Sequence, residues 1–336
     1  MSARETIIPV FVPHLGCPND CVFCNQRRIS GSPEPATAET VVNAIENAAA
    51  LTPMGTKRQL AFYGGSFTAI PVCEQETLLA AAKPYLDSKF LSSVRLSTRP
   101  DAIDETVLNR LKKYGVETVE LGAQSLDDEV LYRSGRGHTA KEVEDASKLI
   151  KNAGFMLILQ MMTGLPGDSE EKSIETARKI IALKPDGVRI YPTVIVRDTA
   201  LYDMWKNGEY KEHTVEDAVC VCSKLVPLFE KANIPIIRMG LNPTDELSGG
   251  SAVGGAYHPA LGEMVHSRIM RNKAEKLLEN SVGKKVILGV NSADISKMTG
   301  QHRCNIEYLS EKFSLKSLKI KAENAAKGEI VILSLD

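Results

Sequence analysis

Ile7-Ile-Pro-Val-Phe-Val-Pro-His14-Leu-Gly-Cys17-Pro-Asn-Asp-Cys21-Val-Phe23-Cys24 begins as an apolar run and ends on three cysteines within eight residues. The run Ile7 to Pro13 reads as a strand, and the polar, proline-containing stretch after it as a loop. Three thiolates spaced C-x₃-C-x₂-C in an irregular loop can converge on three corners of a cubane iron-sulfur cluster, leaving the fourth iron open. No fourth cysteine follows until Cys73. A competing reading joins His14 to the three cysteines as a closed Cys₃His zinc site. Unrelated core thiols fit poorly, because a polar loop is a poor place to bury them.

Outward from this loop, short apolar runs alternate with amphipathic stretches. Strand candidates are Ile7 to Pro13, Leu60 to Tyr63, Val94 to Thr98, Val116 to Gly122, Met156 to Met162, Val188 to Pro192 and Ile234 to Met239. Helical periodicity fills the gaps between them, as at Ala38 to Ala50 and Ala140 to Ala153. Repeated strand-then-helix units predict parallel strands joined by right-handed crossovers: an α/β fold, a partial (β/α)6 TIM-like barrel. Several strands run into glycine punctuation, at Gly64-Gly65-Ser66, Gly122-Ala-Gln124 and Gly164-Leu-Pro-Gly167. In a βα barrel those ends share one face, where an active site belongs.

The alternation defines a barrel over residues 1–241. Residues 242–283 hold a glycine-rich stretch, Gly249 to Gly262, read as a cap or loop across the barrel mouth, and then a helix. Residues 284–336 follow the order strand, helix, helix, strand, strand. Basic residues number 41 against 42 acidic, so no global charge draws the chain to nucleic acid or membrane. No apolar window reaches the length of a spanning helix, and a cytoplasmic location is the expectation. Seven cysteines are an odd count in a long chain, not a disulfide framework. Cys73, Cys220, Cys222 and Cys304 are expected to be buried, inert thiols.

The cysteine spacing resembles the signature of the radical S-adenosylmethionine (SAM) superfamily. That resemblance implies a [4Fe-4S] cluster on Cys17, Cys21 and Cys24, with SAM bound beside it and Phe23 packing the adenine. Tyr63-Gly64-Gly65-Ser66-Phe67-Thr68 resembles the family's glycine pair, whose bare backbone approaches the methionine amino group; serine stands where an acidic residue is more familiar. Leu121-Gly-Ala-Gln124-Ser125 and Ser134-Gly-Arg136-Gly-His138-Thr139 resemble Elongator protein 3 and oxygen-independent coproporphyrinogen oxidase, where a glutamine and an arginine line the SAM site. Gln124 and Arg136 take those places, Gln160 stands where an aspartate meets the ribose, and Ser97 and Arg99 are further candidates. A second view makes Arg99 and Asp101 a surface ion pair. Arg189-Ile-Tyr-Pro-Thr193 strengthens the likeness to the Elongator protein 3 core, which runs from about Ile7 to Leu241. The chain departs from that family in a shorter gap between the first two cysteines, and only 95 residues follow Leu241, few for an acetyltransferase domain. The acetyl-dependent tRNA reaction is therefore not carried over.

The resemblance implies reductive cleavage of SAM to a 5'-deoxyadenosyl radical, which abstracts hydrogen from a substrate, and a low-potential electron donor of the flavodoxin or ferredoxin type. Tyr191, Arg197 and His258 are candidates to face substrate, and Trp205 reads as a packing anchor. The last 53 residues resemble a KH domain, with Gly300-Gln-His-Arg303 in place of its G-x-x-G loop and nine Lys and Arg against six Asp and Glu. RNA, contacted at Gly300 and Arg303, is thus one expected partner; a packing module is the other reading of the tail. A small-molecule substrate, as in coproporphyrinogen oxidase, and a non-enzymatic metal-sensing role stand as alternatives.

Overall fold

The computed structural model describes residues 5–12, 21–25, 35–53, 55–242 and 247–336. Its strands follow the apolar runs: β1 (Glu5–Phe11), β2 (Lys57–Tyr63), β3 (Ser93–Thr98), β4 (Val116–Gln124), β5 (Met156–Thr163), β6 (Gly187–Pro192), a short β7 (Val194–Val196) and β8 (Ile236–Met239). Seven of them form one sheet in the order β1-β2-β3-β4-β5-β6-β8, every neighbouring pair parallel. The sheet is a curled half-barrel of six strand-helix units closed by a seventh strand, and each strand candidate has its counterpart.

Alternation along the strands separates two faces. Leu60 and Phe62, Val94 and Leu96, Val119 and Leu121, Leu157 and Leu159, and Val188 and Ile190 are buried. The alternate positions carry Tyr63, Arg95, Glu120, Gln160 and Arg189. Helices start where side chains satisfy their first amides. Thr37 and Thr139 form capping boxes before Ala38–Leu51 and Ala140–Asn152, and Asp104 and Ser169 cap Glu105–Lys113 and Glu170–Ala182.

The glycine-rich segment is only partly a loop, contrary to expectation. Ala252–Gly255 forms strand β9, antiparallel to β7. At Gly255 (φ +80°) a Cβ would stand 2.6 Å from the Thr193 carbonyl oxygen, so glycine there admits a close backbone approach.

The chain divides into two compact units, residues 1–214 with 228–257, and residues 215–227 with 258–336. In the second, the helix Leu261–Leu278 supplies Met270, Ala274 and Leu278 to a core shared with Val286, Leu288, Val290, Met298 and Leu309. Strands β10 (Lys285–Val290), β11 (Ser317–Ala322) and β12 (Ile330–Leu335) lie in the order β11-β10-β12, with helices Ile295–Thr299 and Cys304–Lys312 between β10 and β11. This is the strand-helix-helix-strand-strand order read from the tail. The buried Asn305 amide donates to the carbonyls of Ser267, Lys297 and Met298 at 3.0, 3.1 and 3.2 Å, tying the three helices together.

Of the four thiols expected to be buried, only Cys222 is; its pKa is pushed up to about 12 by burial. Cys220 is half-buried, while Cys73 and Cys304 are exposed. Both exposed thiols sit in the first turn of a helix, where the sequence pattern leaves the facing undetermined. Among the described residues, no helix is long and apolar enough to cross a membrane.

Candidate functional site

Residues 21–25 of the cysteine stretch form a turn, with the Cys24 amide donating to the Cys21 carbonyl at 2.9 Å. Two distant elements pin it. The Val22 amide donates to the Ser134 carbonyl at 3.1 Å, and the Val22 carbonyl accepts from the Leu201 amide at 2.7 Å. The Asn25 side chain adds a bond to the Asp198 carbonyl at 3.3 Å. Val22 and Phe23 pack on an apolar cluster of Ile195, Leu201 and Tyr210, flanked by Tyr202 and Trp205, so Trp205 does anchor packing here. Cys21 and Cys24 are half-buried and form no disulfide; Cys17 and His14 lie outside the described residues.

The C-terminal end of β4 meets this turn. The ladder between β4 and β5 slips between Gly122 and Gln124, and Gln124 takes a left-handed conformation (φ 63°). Its Oε1 is buried without a hydrogen-bond partner. Arg136 reaches the same place: Nη2 donates to the Gly122 carbonyl at 2.7 Å and Nη1 to Cys21 Sγ at 3.4 Å. A Cβ on Gly122 would stand 3.1 Å from Gln124 Nε2 and 3.3 Å from Arg136 Nη2, so the glycine leaves room for both side chains. Behind them His138 sets Nε2 3.3 Å from the Ala123 carbonyl. Burial, helped by the charge of Arg136, pushes its pKa down to about 4 and keeps the ring neutral at pH 7.

The neighbouring strand ends supply the other expected residues. Gly64 (φ 97°) turns the chain out of β2, and Ser66 is buried at the start of a short 3₁₀ turn, Phe67–Ala69. Gly65 is half-buried between them. Ser97 Oγ donates to the Phe62 carbonyl at 3.4 Å. Arg99 forks onto Asp101, Nε to Oδ1 at 2.5 Å and Nη2 to Oδ2 at 2.6 Å. The ion pair exists, and it joins a buried Arg99 to an exposed Asp101.

Deeper in the same face lies a buried charge cluster that sequence reasoning did not find. Glu120 is wholly buried, and its Oε1 accepts from Arg95 Nη1 at 3.0 Å, from Arg189 Nη2 at 3.0 Å and from the Tyr63 hydroxyl at 2.9 Å. Oε2 accepts from Gln160 Nε2 at 3.0 Å, and Arg189 Nε stands 2.8 Å away, too oblique to donate. Arg189 Nη1 also donates to the Tyr191 hydroxyl at 3.4 Å, so Gln160 and Tyr191 belong to one network. Burial first, and the Glu120 charge second, hold the Tyr63 phenol protonated. The available signal was a carboxylate in mid-strand of a buried parallel sheet, where apolar residues are the rule.

At the end of β5, Gly164 (φ +75°) lies against the His213 ring, and its carbonyl accepts from the Tyr210 hydroxyl at 2.6 Å. Arg197 stands apart from these groups, with Nε on the Gly250 carbonyl at 3.2 Å. His258 belongs to the second unit, where its Nδ1 accepts from the Ala260 amide at 3.1 Å. Gly300 (φ 76°) and Arg303 (φ 66°) bracket a tight turn between two helices of that unit, closed by the Arg303 amide on the Gly300 carbonyl at 3.1 Å.

An open parallel βα sheet that gathers thiols, an arginine and a buried amide at the carboxyl ends of its strands has the architecture of a cofactor-dependent enzyme. The family model of the radical SAM superfamily matches residues 11–180, and that of the radical SAM C-terminal domain residues 185–271. The chain therefore belongs to the radical SAM superfamily and is an enzyme of that family. It is similar to the tRNA uridine(34) acetyltransferase of Methanocaldococcus jannaschii, 37% identical over 38% of this chain and 24% of that protein. It is also similar to human Elongator complex protein 3, 35% identical over 40% of this chain and 25% of that one. The match thus spans about a quarter of the length of these relatives. Among solved structures, the archaeal Methanocaldococcus infernus Elp3 superposes with a TM-score of 0.62 at 25% identity, covering 80% of this chain and 63% of that one. Escherichia coli coproporphyrinogen III oxidase shares the fold, with a TM-score of 0.50 at 17% identity over 68% of this chain and 52% of that one.

Proposed function

We propose that Cys17, Cys21 and Cys24 hold a [4Fe-4S] cluster, and that the adjoining strand ends bind SAM for radical chemistry on RNA. The observation that carries this reading is the convergence of Cys21, Arg136 and Gln124 beside a glycine whose missing Cβ leaves room for both side chains. The donor set fits the group: half-buried thiols outside any disulfide for iron, and a buried, unpartnered amide oxygen for a hydroxyl. Once bound, cluster and SAM supply reductive cleavage to a 5'-deoxyadenosyl radical that abstracts hydrogen from substrate.

This chain's residues bind and orient. Gln124 offers Oε1 to a ribose hydroxyl, and Gln160, with its Nε2 committed to Glu120, offers its own Oε1 likewise. Arg136 supplies positive charge for the methionine carboxylate. Gly64, Gly65 and Ser66 present backbone to its amino group, Phe23 packs the adenine, and Ser97 and Arg99 complete the wall. Tyr191, Arg197 and His258 are the residues we assign toward substrate. A flavodoxin or ferredoxin type donor supplies the electron.

Two features support RNA as the substrate class. The tail carries nine Lys and Arg against six Asp and Glu, with Gly300 and Arg303 in a turn between helices. The M. jannaschii relative is a tRNA uridine(34) acetyltransferase. Anaerobic reconstitution tests the chemistry. Four irons per chain and release of 5'-deoxyadenosine with SAM and dithionite are expected; zinc in place of iron, or no 5'-deoxyadenosine, would refute it. Replacing Cys21 or Cys24 by alanine is expected to abolish cleavage, and Cys73→Ala to leave it intact. RNA retained by the purified chain and lost on Arg303→Ala supports the substrate class.

A further inference from the structure

Arg136 touches more than the place assigned to SAM. Its Nη1 donates to Cys21 Sγ at 3.4 Å, and the guanidinium is held in that pose by Nη2 on the Gly122 carbonyl at 2.7 Å. Gly122 is part of this arrangement, because a Cβ there would stand only 3.3 Å from Nη2. The neutral His138 ring lies two residues along the chain, on the Ala123 carbonyl, and adds no second positive charge beside the sulfur. A planar cation holds the carbonyl and the sulfur from two separate nitrogens in a fixed geometry, whereas an ammonium carries its donors on one atom at the end of a flexible stem.

We infer that Arg136 is a positioning residue for the cluster itself: its hydrogen bond to the Cys21 sulfur raises the reduction potential, independently of any contact with SAM. The reduced cluster carries one more negative charge than the oxidised one, and hydrogen bonds to the ligating sulfurs are among the levers that set cluster potentials. A cationic donor aimed at a ligand sulfur therefore favours the reduced form. This inference rests on the proposed cluster at Cys21 and adds a role that a SAM contact does not imply. A residue acting only on the SAM carboxylate would alter SAM affinity and leave the SAM-free potential unchanged.

The test is a dye-mediated redox titration of the anaerobically reconstituted full chain without SAM, read by electron paramagnetic resonance, for wild type, Arg136→Gln and Arg136→Lys. For Arg136→Gln the equilibrium constant for reduction is expected to fall at least tenfold, a shift of ~59 mV to more negative potential for a one-electron couple. Arg136→Lys, which keeps the charge and loses the fork, is expected to fall between the two. A SAM-free potential unchanged from wild type in Arg136→Gln, or shifted upward, overturns the inference. If Arg136→Gln does not load iron, Arg136→Lys decides: a downward shift supports the inference and an unchanged potential overturns it. If neither variant loads while wild type does, the arginine retains the cluster and does not tune it, which also overturns the inference. If wild type itself takes up no [4Fe-4S] cluster, it is the proposed function that fails.

Discussion

Glu120→Gln is the perturbation that most directly probes the barrel interior. The carboxylate is completely buried, and the Arg95 and Arg189 side chains that face it are each 9% exposed. Breaking a buried pair by removing one partner typically costs ~3–5 kcal/mol, because the other charge stays behind without compensation. Here one substitution strands two guanidiniums and sets an amide NH₂ against donors whichever oxygen it replaces, Arg95 and Arg189 at Oε1 or Gln160 at Oε2. We expect the upper part of that range. With a urea m value of ~3 kcal/mol/M, that is a midpoint lower by about 1.3 to 1.7 M. Trp205 is the chain's only tryptophan and lies in the first unit, so its fluorescence follows that unit without contribution from the second. Reading one unit matters because a chain of two units need not unfold in one step. A midpoint shift under ~0.3 M would refute the reasoning, since it would mean that the guanidiniums find water or another partner at little cost. The triple replacement of Arg95, Glu120 and Arg189 by leucine is expected to recover much of the loss, because a buried charge cluster is often no more stable than apolar residues of similar volume.

Further outcomes follow from the same geometry. His138 has a folded pKa of about 4, below its ordinary 6.5, so between those values the unfolded chain binds the proton and the folded chain does not. Stability is therefore expected to fall as pH drops from about 6.5 toward 4, by at most ~3 kcal/mol, and His138→Asn should flatten that slope in urea titrations at pH 7.5 and 5. Gly164→Ala would set a Cβ 2.1 Å from His213 Cγ at a φ of +75°. A loss of ~1–3 kcal/mol is expected in the same fluorescence assay. His213→Ala in the same chain should restore part of it, a coupling that a double-mutant cycle reads directly.

The strands were legible because a parallel sheet buried on both faces demands nearly continuous Val, Ile and Leu, and such runs stand out at Leu60, Val94, Val119, Leu157 and Val188. The tail's element order was legible from its short apolar runs at Val286 to Val290, Leu315 to Ile320 and Ile330 to Leu333, although its sheet is mixed and only partly buried. The β7–β9 pair was not: its partners are three and four residues long and lie far apart in sequence, and the glycines that permit their approach read equally well as a loop. At the site, the cysteine spacing pointed to Cys21, and the resemblance to Elongator protein 3 and coproporphyrinogen oxidase to Gln124 and Arg136; the fold does bring the three together. The Glu120 cluster escaped because its members come from five strands, and only the folded sheet brings them together: Gln160 pairs with Arg189, while Glu120 lies two residues from the register partners of both Arg95 and Gln160. Periodicity also did not reveal which way a helix's first turn faces, which is why Cys73 and Cys304 were expected inside and lie outside.

The two-sided pinning of the cysteine turn has a consequence for how the chain is made. Asn25 is separated from its partner Asp198 by 173 residues, and the Leu201 amide that holds Val22 lies further on still. At a synthesis rate of ~5–20 residues per second, roughly 10 to 35 s pass between the emergence of the thiols and that of the segment that fixes them. During that interval the thiols lack the two distant partners that finish their turn, so loading of the proposed cluster would follow the sixth strand and the helix beyond it, and the nascent thiols would need a reducing environment until then.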